Sequence, residues 1–312
     1  MSRTISNQQS AINNQQFPRS AVTIGMFDGV HLGHRSLLAA LRSEAERIEG
    51  EAVVLTFDRH PMELLASEHA PLYINTLEQR VRLLEDAGAE QVVVARFDNK
   101  LADMSPEEFV DQTLIGDLKA AAVIVGTNFR FGKKRAGDVE LLRKLGDERG
   151  FRVVGVEPAM VHGAPVSSTR VRNAIERGDI KAAAELLGRP FAMLGRVVTG
   201  RGIGRELGFP TANIDVGQRQ ITPCNGIYAV RVMVAGKEMS GVCSIGVRPT
   251  LGPGERVTEV YIEGFEGNLY GVELEVAFYA RMRDEIKFDS LDSLTAQIAL
   301  DVEEAKRLLG AS

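Results

Sequence analysis

A chain of 312 residues, 44% hydrophobic and 25% charged, has ordinary globular composition and the length of two domains. Its net charge of −5 argues against nucleic acid as the main partner, and no apolar run approaches the ~20 residues of a membrane span. Two cysteines, Cys224 and Cys243, are too few for a disulfide framework and lack metal-ligand spacing, so a reducing cytoplasm is the expected home.

The opening Met1-Ser2-Arg3-Thr4 has no apolar core behind it and does not read as a secretion signal. Asn and Gln are abundant from residue 5, and residues 1–19 are expected to form a mobile tail. An apolar run then leads into Gly25-Met26-Phe27-Asp28-Gly29-Val30-His31-Leu32-Gly33-His34, and Leu37, Leu38, Leu41 and Ile48 follow at helical spacing. Strand, tight turn and helix in that order aim helix-start N–H groups at an anion. His31 and His34, three apart, can project from one side of the first turn. There they suit a triphosphate whose oxygens gain charge in the transition state. A bare pair of histidines at this spacing is also compatible with surface, core or metal-binding roles. The whole string after a strand is far more specific, and it resembles the nucleotidyltransferases with a His-x-Gly-His signature.

Further along, residues 52–57 read as a strand that ends in Asp58-Arg59-His60-Pro61. A helix is predicted over residues 77–87, closed by Gly88, and a third strand over residues 91–97. Ser105-Pro106-Glu107-Glu108 is a helix start, residues 122–126 a strand, 141–149 a helix and 151–156 a strand. Strands apolar on both faces, alternating with helices, predict a doubly wound parallel sheet. Ligands in such sheets sit beyond the carboxyl ends of the strands, where His31, His60 and the segment Thr127-Asn128-Phe129-Arg130-Phe131-Gly132 all fall. In Ser167-Ser168-Thr169-Arg170, Ser168 or Thr169 can cap the next helix, and the hydroxyls with Arg170 can also reach phosphates.

A short helix over residues 180–187 ends at Gly188-Arg189-Pro190, where the texture changes to alternating runs with turn signals. Runs at 195–198, 227–234, 241–247, 259–265 and 272–278, with a hairpin turn at Gly236-Lys237, predict a small antiparallel β-barrel. An amphipathic helix carrying Leu291, Leu294, Ile298, Val302, Ala305, Leu308 and Leu309 is expected to close one end. Gly200, Gly202, Gly204 and Gly208 make a loop whose backbone can approach phosphate, although such loops are also plain turns. Thr211 and Asn213, two apart on a strand, share a face and offer oxygens to a hard cation. Glu259 on its own reads more readily as an ordinary solvated edge carboxylate.

Taken in order, these segments are similar to the bacterial bifunctional riboflavin kinase/FMN adenylyltransferase family, also called FAD synthetases. The resemblance runs from about Ala21 to Leu309. It rests on residues 25–34, Thr56-Phe57 with His60-Pro61, Gly126 with residues 129–132, residues 167–172 and 187–190, residues 208–213, Ile245-Gly246 with Arg248-Pro249-Thr250, Leu269-Tyr270-Gly271, and Arg283 with Phe288. Asn128 stands where the family often has an acidic residue, and Met26 where asparagine is frequent. The resemblance implies an adenylyltransferase domain over residues 20–187 and a riboflavin kinase domain over 188–312, acting on riboflavin, FMN and ATP and yielding FAD. It implies that Thr211 and Asn213 hold Mg²⁺ and ATP phosphates and that Glu259 is the base for the riboflavin hydroxyl. His31, His34, Ser168 and Arg170 would bind the phosphates of the second ATP. Gly25, Phe27, Asp28, Gly29, His60, Asn128, Phe129, Arg130, Ser167 and Thr169 complete that substrate set. Neither a nucleic acid nor a membrane is an expected partner, and a monomer or weak homo-oligomer is the expected state. The rival reading is an adenylyltransferase for another small phosphate, joined to a barrel that binds flavin without catalysis.

Overall fold

The computed structural model describes residues 19–200, 204, 207–247 and 256–310. Apart from Arg19, the expected tail lies outside them. The chain falls into two compact units, Met1–Pro71 with Leu77–Ser167, and Leu72–Thr76 with Ser168–Ser312.

The first unit is built on five parallel strands, β1 (Ser20–Ile24), β2 (Glu51–Phe57), β3 (Gln91–Ala95), β4 (Ala120–Gly126) and β5 (Arg152–Val156), in the order β3-β2-β1-β4-β5. Their side chains alternate between two apolar layers. Val22, Ile24, Val53, Leu55, Val123 and Val125 face one, and Ala21, Ala52, Val54, Ala122 and Ile124 the other. Burial on both faces explains why these strands read as continuous apolar runs. Strand order reverses at β1, so the loop that leaves β1 opens at the switch point of the sheet.

Helices Leu32–Ile48, Leu77–Asp86 and Val139–Arg149 follow the predicted pattern. The last begins two residues earlier than expected, because the Asp138 carboxylate caps it by accepting from the Leu141 N–H at 2.9 Å. A helix starts after Ser105 as anticipated, through a capping box with Glu108, but after one turn the chain continues as a π-helix, Phe109–Asp117. Phe109, Val110, Thr113, Leu114 and Leu118 are all buried. Spacings of four and five keep these residues on one side of the wider π turn. A hairpin of β6 (Met160–Val161) and β7 (Ala164–Pro165) leads to the end of this unit.

The second unit is a closed antiparallel barrel of β8 (Phe191–Val198), β9 (Thr211–Asp215), β10 (Gly226–Val234), β11 (Lys237–Val247), β12 (Arg256–Ile262) and β13 (Glu273–Arg283). Its spatial order is β10-β11-β12-β9-β8-β13, with β13 pairing β10 to close the ring. Alternate residues such as Phe191, Met193, Tyr228, Val230, Val232, Cys243, Val260, Val276 and Phe278 are buried. The β10–β11 turn sits one residue before its predicted place: Ala235 and Gly236 take the two left-handed positions (φ 49° and 80°), and Lys237 starts β11. Helix Leu291–Leu309, capped by Ser290 and Gly310, lays Ala305 and Leu309 on Ala229, Val242 and Tyr279. Arg283 on β13 fastens it through paired bonds to Asp301, Nε at 2.8 Å and Nη2 at 2.6 Å. Residues 72–76 also belong to this unit. The Tyr73 N–H donates to Arg219 O, Ile221 N–H donates to Tyr73 O, and Arg172 Nε donates to Leu72 O.

Candidate active sites

The loop between β1 and helix Leu32–Ile48 is tightly wound. Phe27, Gly29 and Val30 all have positive φ (51°, 88° and 37°), and Phe27, Asp28 and Val30 are buried. Left-handed backbone at a phenylalanine and a valine is strained, and such strain concentrates where a loop must present groups to a ligand. Helix formation starts at Leu32, so His31 is the cap residue, its Nδ1 accepting from the His34 N–H at 3.3 Å. The two imidazoles stack, 3.6 Å between centroids and 13° between planes, and the Phe27 ring packs edge-on against His34 at 5.1 Å. Gly33 leaves the room this needs: a Cβ there would lie 3.2 Å from His31 Cε1. Gly25 ends the strand against the Phe27 ring.

His60 follows β2 and caps the short helix Pro61–Leu65 by accepting from the Met62 N–H, while its own N–H donates to Glu63. Beyond β4, the exposed Asn128 turns the chain, and Phe129 stacks on Phe131 at 5.6 Å with 11° between planes. Arg130 pairs with Asp138 at 2.7 Å. The Leu141 N–H first, and Arg130 second, hold the Asp138 carboxyl below its usual range. The loops carrying His31, His34, His60, Asn128, Phe129 and Arg130 therefore all leave carboxyl ends of β1, β2 and β4, as the sheet rule requires.

Ser167 is the last residue of the first unit, and Ser168, Thr169 and Arg170 form the opening turn of helix Ser168–Glu176 in the second. Because that helix already includes Ser168, its cap position falls at Ser167 rather than at Ser168 or Thr169.

On the barrel, register assembles a polar face. Asn213 on β9 lies opposite Glu259 on β12, Thr211 opposite Tyr261, and Glu259 also pairs across to Ser244 on β11. Directly opposed residues of antiparallel strands share a face with Cβ atoms about 5 Å apart. Glu259 is half-buried with a strand on each side, so it is not an edge carboxylate. Burial, reinforced by the Glu259 charge, pushes the Cys243 thiol far above its ordinary value. Of the described glycines in the glycine-rich segment, Gly200 and Gly204 approach the same face. A Cβ on Gly200 would overlap the Asn213 carboxamide, one on Gly204 would stand 3.2 Å from Thr211 Oγ1, and Gly208 turns the chain with φ 82°. Gly202 lies outside the described residues.

One residue of the first unit escaped sequence reasoning. Arg80, 2% exposed, donates from Nη1 to Met26 O at 2.9 Å and from Nη2 to Phe57 O at 2.6 Å. Its signal was a cation within the apolar stripe of Leu77, Val81 and Leu84.

Two family models match the chain in succession, FAD synthetase over residues 13–170 and riboflavin kinase over 187–309. The bifunctional riboflavin kinase/FMN adenylyltransferase of Escherichia coli strain K12 is 39% identical over 301 residues, 96% of each chain. This chain belongs to the bifunctional riboflavin kinase/FMN adenylyltransferase family. The Haemophilus influenzae member is 38% identical over 94% of this chain and 95% of its own. A crystal structure of a Streptococcus pneumoniae chain, described as a macrolide-efflux protein, superposes with TM-score 0.86 at 32% identity, covering 95% of this family member and 96% of that chain. In the present family member, no helix among the described residues is long and apolar enough to cross a membrane.

Proposed function

We propose that this chain phosphorylates riboflavin to FMN with ATP and adenylylates FMN to FAD with a second ATP, releasing pyrophosphate. The observation that supports the first step most is the face on which Thr211, Asn213 and Glu259 meet, with Gly200 and Gly204 against it. In the kinase step Glu259 takes the proton of the riboflavin 5′-hydroxyl as its oxygen attacks the γ-phosphorus of ATP, and ADP departs. Thr211 and Asn213 offer neutral hard oxygens, a donor set that suits Mg²⁺ shared with phosphate better than a soft metal. When bound, that cation neutralises charge on the transferring phosphoryl group.

In the adenylyl step the FMN phosphate is already an anion, so no base is required. Its oxygen attacks the α-phosphorus while the stacked His31 and His34 donate towards the leaving pyrophosphate, helped by the positive end of helix Leu32–Ile48. Gly25, Phe27, Asp28, Gly29, His60, Asn128, Phe129 and Arg130 are proposed to bind ATP and flavin, and Ser167, Ser168, Thr169 and Arg170 to bind phosphates. Gly200, Gly202, Gly204 and Gly208 are proposed to let backbone approach the ATP of the kinase step. A cytoplasmic enzyme, monomeric or weakly self-associating, completes the proposal.

Incubating the protein with riboflavin, ATP and Mg²⁺ and separating the flavins tests this directly. FMN appears first and FAD follows, and chelation by EDTA abolishes both. FAD formed from supplied FMN, with no FMN formed from riboflavin, would reduce the barrel to a flavin-binding module.

A further inference from the structure

The β1–β2 ladder ends at the pairing of Ile24 with Leu55 and the bond from the Gly25 N–H to Leu55 O at 3.1 Å. Past that rung the two chains diverge, one into the histidine loop and the other towards His60. Arg80 spans the gap, one arm of its guanidinium on Met26 O and the other on Phe57 O. Thr56 Oγ1 also donates to Met26 O, at 3.3 Å. We propose that Arg80 is a positioning residue for adenylyl transfer, fixing the histidine loop to the end of β2. The proposal rests on the reading of that loop as the adenylylation site.

Met26 immediately precedes Phe27, whose left-handed conformation persists only where its surroundings over-determine it. Holding Met26 O sets the direction in which Phe27 leaves, and the Phe27 ring sets the edge against which His34 stands. His34 in turn stacks on His31. Displacement at Met26 therefore passes through contacts already in place to the two imidazoles. A guanidinium suits the task because its planar fork carries divergent donors in fixed geometry, whereas an ammonium is a compact point charge. Arg80 is buried and acts on carbonyls rather than on a ligand, so its influence falls on alignment.

The test uses the full chain and follows FMN-to-FAD and riboflavin-to-FMN conversion separately. R80M is expected to lower kcat for FAD formation about a hundredfold, the scale of a misplacement near 1 Å. KM for FMN should stay within about threefold, because the loss lies in the transition state. Riboflavin phosphorylation, read in the same sample, should stay within about twofold, and an unchanged melting transition of the parallel-sheet unit reports that the unit carrying Arg80 is folded. R80K keeps the charge and loses the fork, and should fall between R80M and wild type, about tenfold down in kcat. Should R80M not fold, R80K decides alone. FAD formation within about threefold of wild type in R80K, or a defect confined to KM for ATP, overturns the role. H31A/H34A serves as the reference. Undiminished FAD formation there overturns the loop assignment and Arg80 with it. A loss there beside an unaffected R80K overturns the arginine alone.

Discussion

At the scale of single residues, the proposed base Glu259 is assigned the most distinct chemistry. The riboflavin 5′-hydroxyl is a poor nucleophile at neutral pH, and a positioned carboxylate relieves it of its proton as the new bond forms. Glu259→Gln keeps the length and hydrogen-bonding reach of the side chain and cannot accept that proton. Kinase turnover should fall by roughly 10²–10⁴-fold, the usual contribution of a general base. Riboflavin and ATP affinities should change little, and conversion of supplied FMN to FAD should continue. Separate steady-state assays of the two steps check this, and a Glu259→Gln enzyme with near-normal kinase turnover would remove the base from the mechanism. The histidine pair works differently. His31 and His34 are held by each other, by the edge of Phe27 and by the absence of a side chain at Gly33, so their placement depends on packing as much as on hydrogen bonds.

At the scale of elements, charged contacts fix the terminal helix to the barrel, Lys306 with Glu263 and, more deeply buried, Arg283 with Asp301. Asp301 is buried, Arg283 is mostly so, and Gln297 donates to the same carboxylate at 3.0 Å. Asp301→Ala leaves a largely buried guanidinium without its carboxylate, with only the Asp284 carbonyl still accepting from it. Allowing for the residual exposure of Arg283, the cost should be about 2–3 kcal/mol. Calorimetry should show a lowered melting temperature for the barrel's transition and none for the parallel sheet's. Elements are also where the sequence was most and least informative. Period-two alternation placed Thr211 and Asn213 on one face, because a strand needs only its own residues to define its faces. It could not place Glu259 opposite Asn213, since the register of β9 on β12 is fixed by pairings far apart in sequence. The π-helix Phe109–Asp117 was hidden for a related reason: its capping box is local, while its wider turn answers to the core beneath it. Arg80 stayed silent because a cation on an apolar stripe does not name the carbonyls it will meet. His31 was assigned to the first helical turn because an imidazole is an uncommon cap.

At the scale of the whole molecule, the second unit takes in more than the barrel. Helix Ile180–Leu187 buries Ile180, Ala183, Leu186 and Leu187, and the turn at Gly178 packs on Cys224 and Arg281. A fragment of residues 168–312 should therefore fold and phosphorylate riboflavin while making no FAD. Shortening it to residues 188–312 should lower its melting temperature, since the apolar face beneath the lost helices becomes exposed. Chromatographic separation of products and a thermal melt of each fragment check both statements. The closed barrel also bears on the order in which the chain can acquire its structure. All five strands of the parallel sheet have been synthesised once Val156 is made, before any strand of the barrel. β8 instead finds its partner β13 through pairings such as Phe191 with Phe278, which come together only across most of the unit's length. Closing so long a loop is slow, because its entropy is lost before the new contacts repay it. During synthesis the growing barrel therefore keeps open strand edges until its last strand emerges, and this is the interval in which a newly made chain is most exposed to pairing with a neighbour.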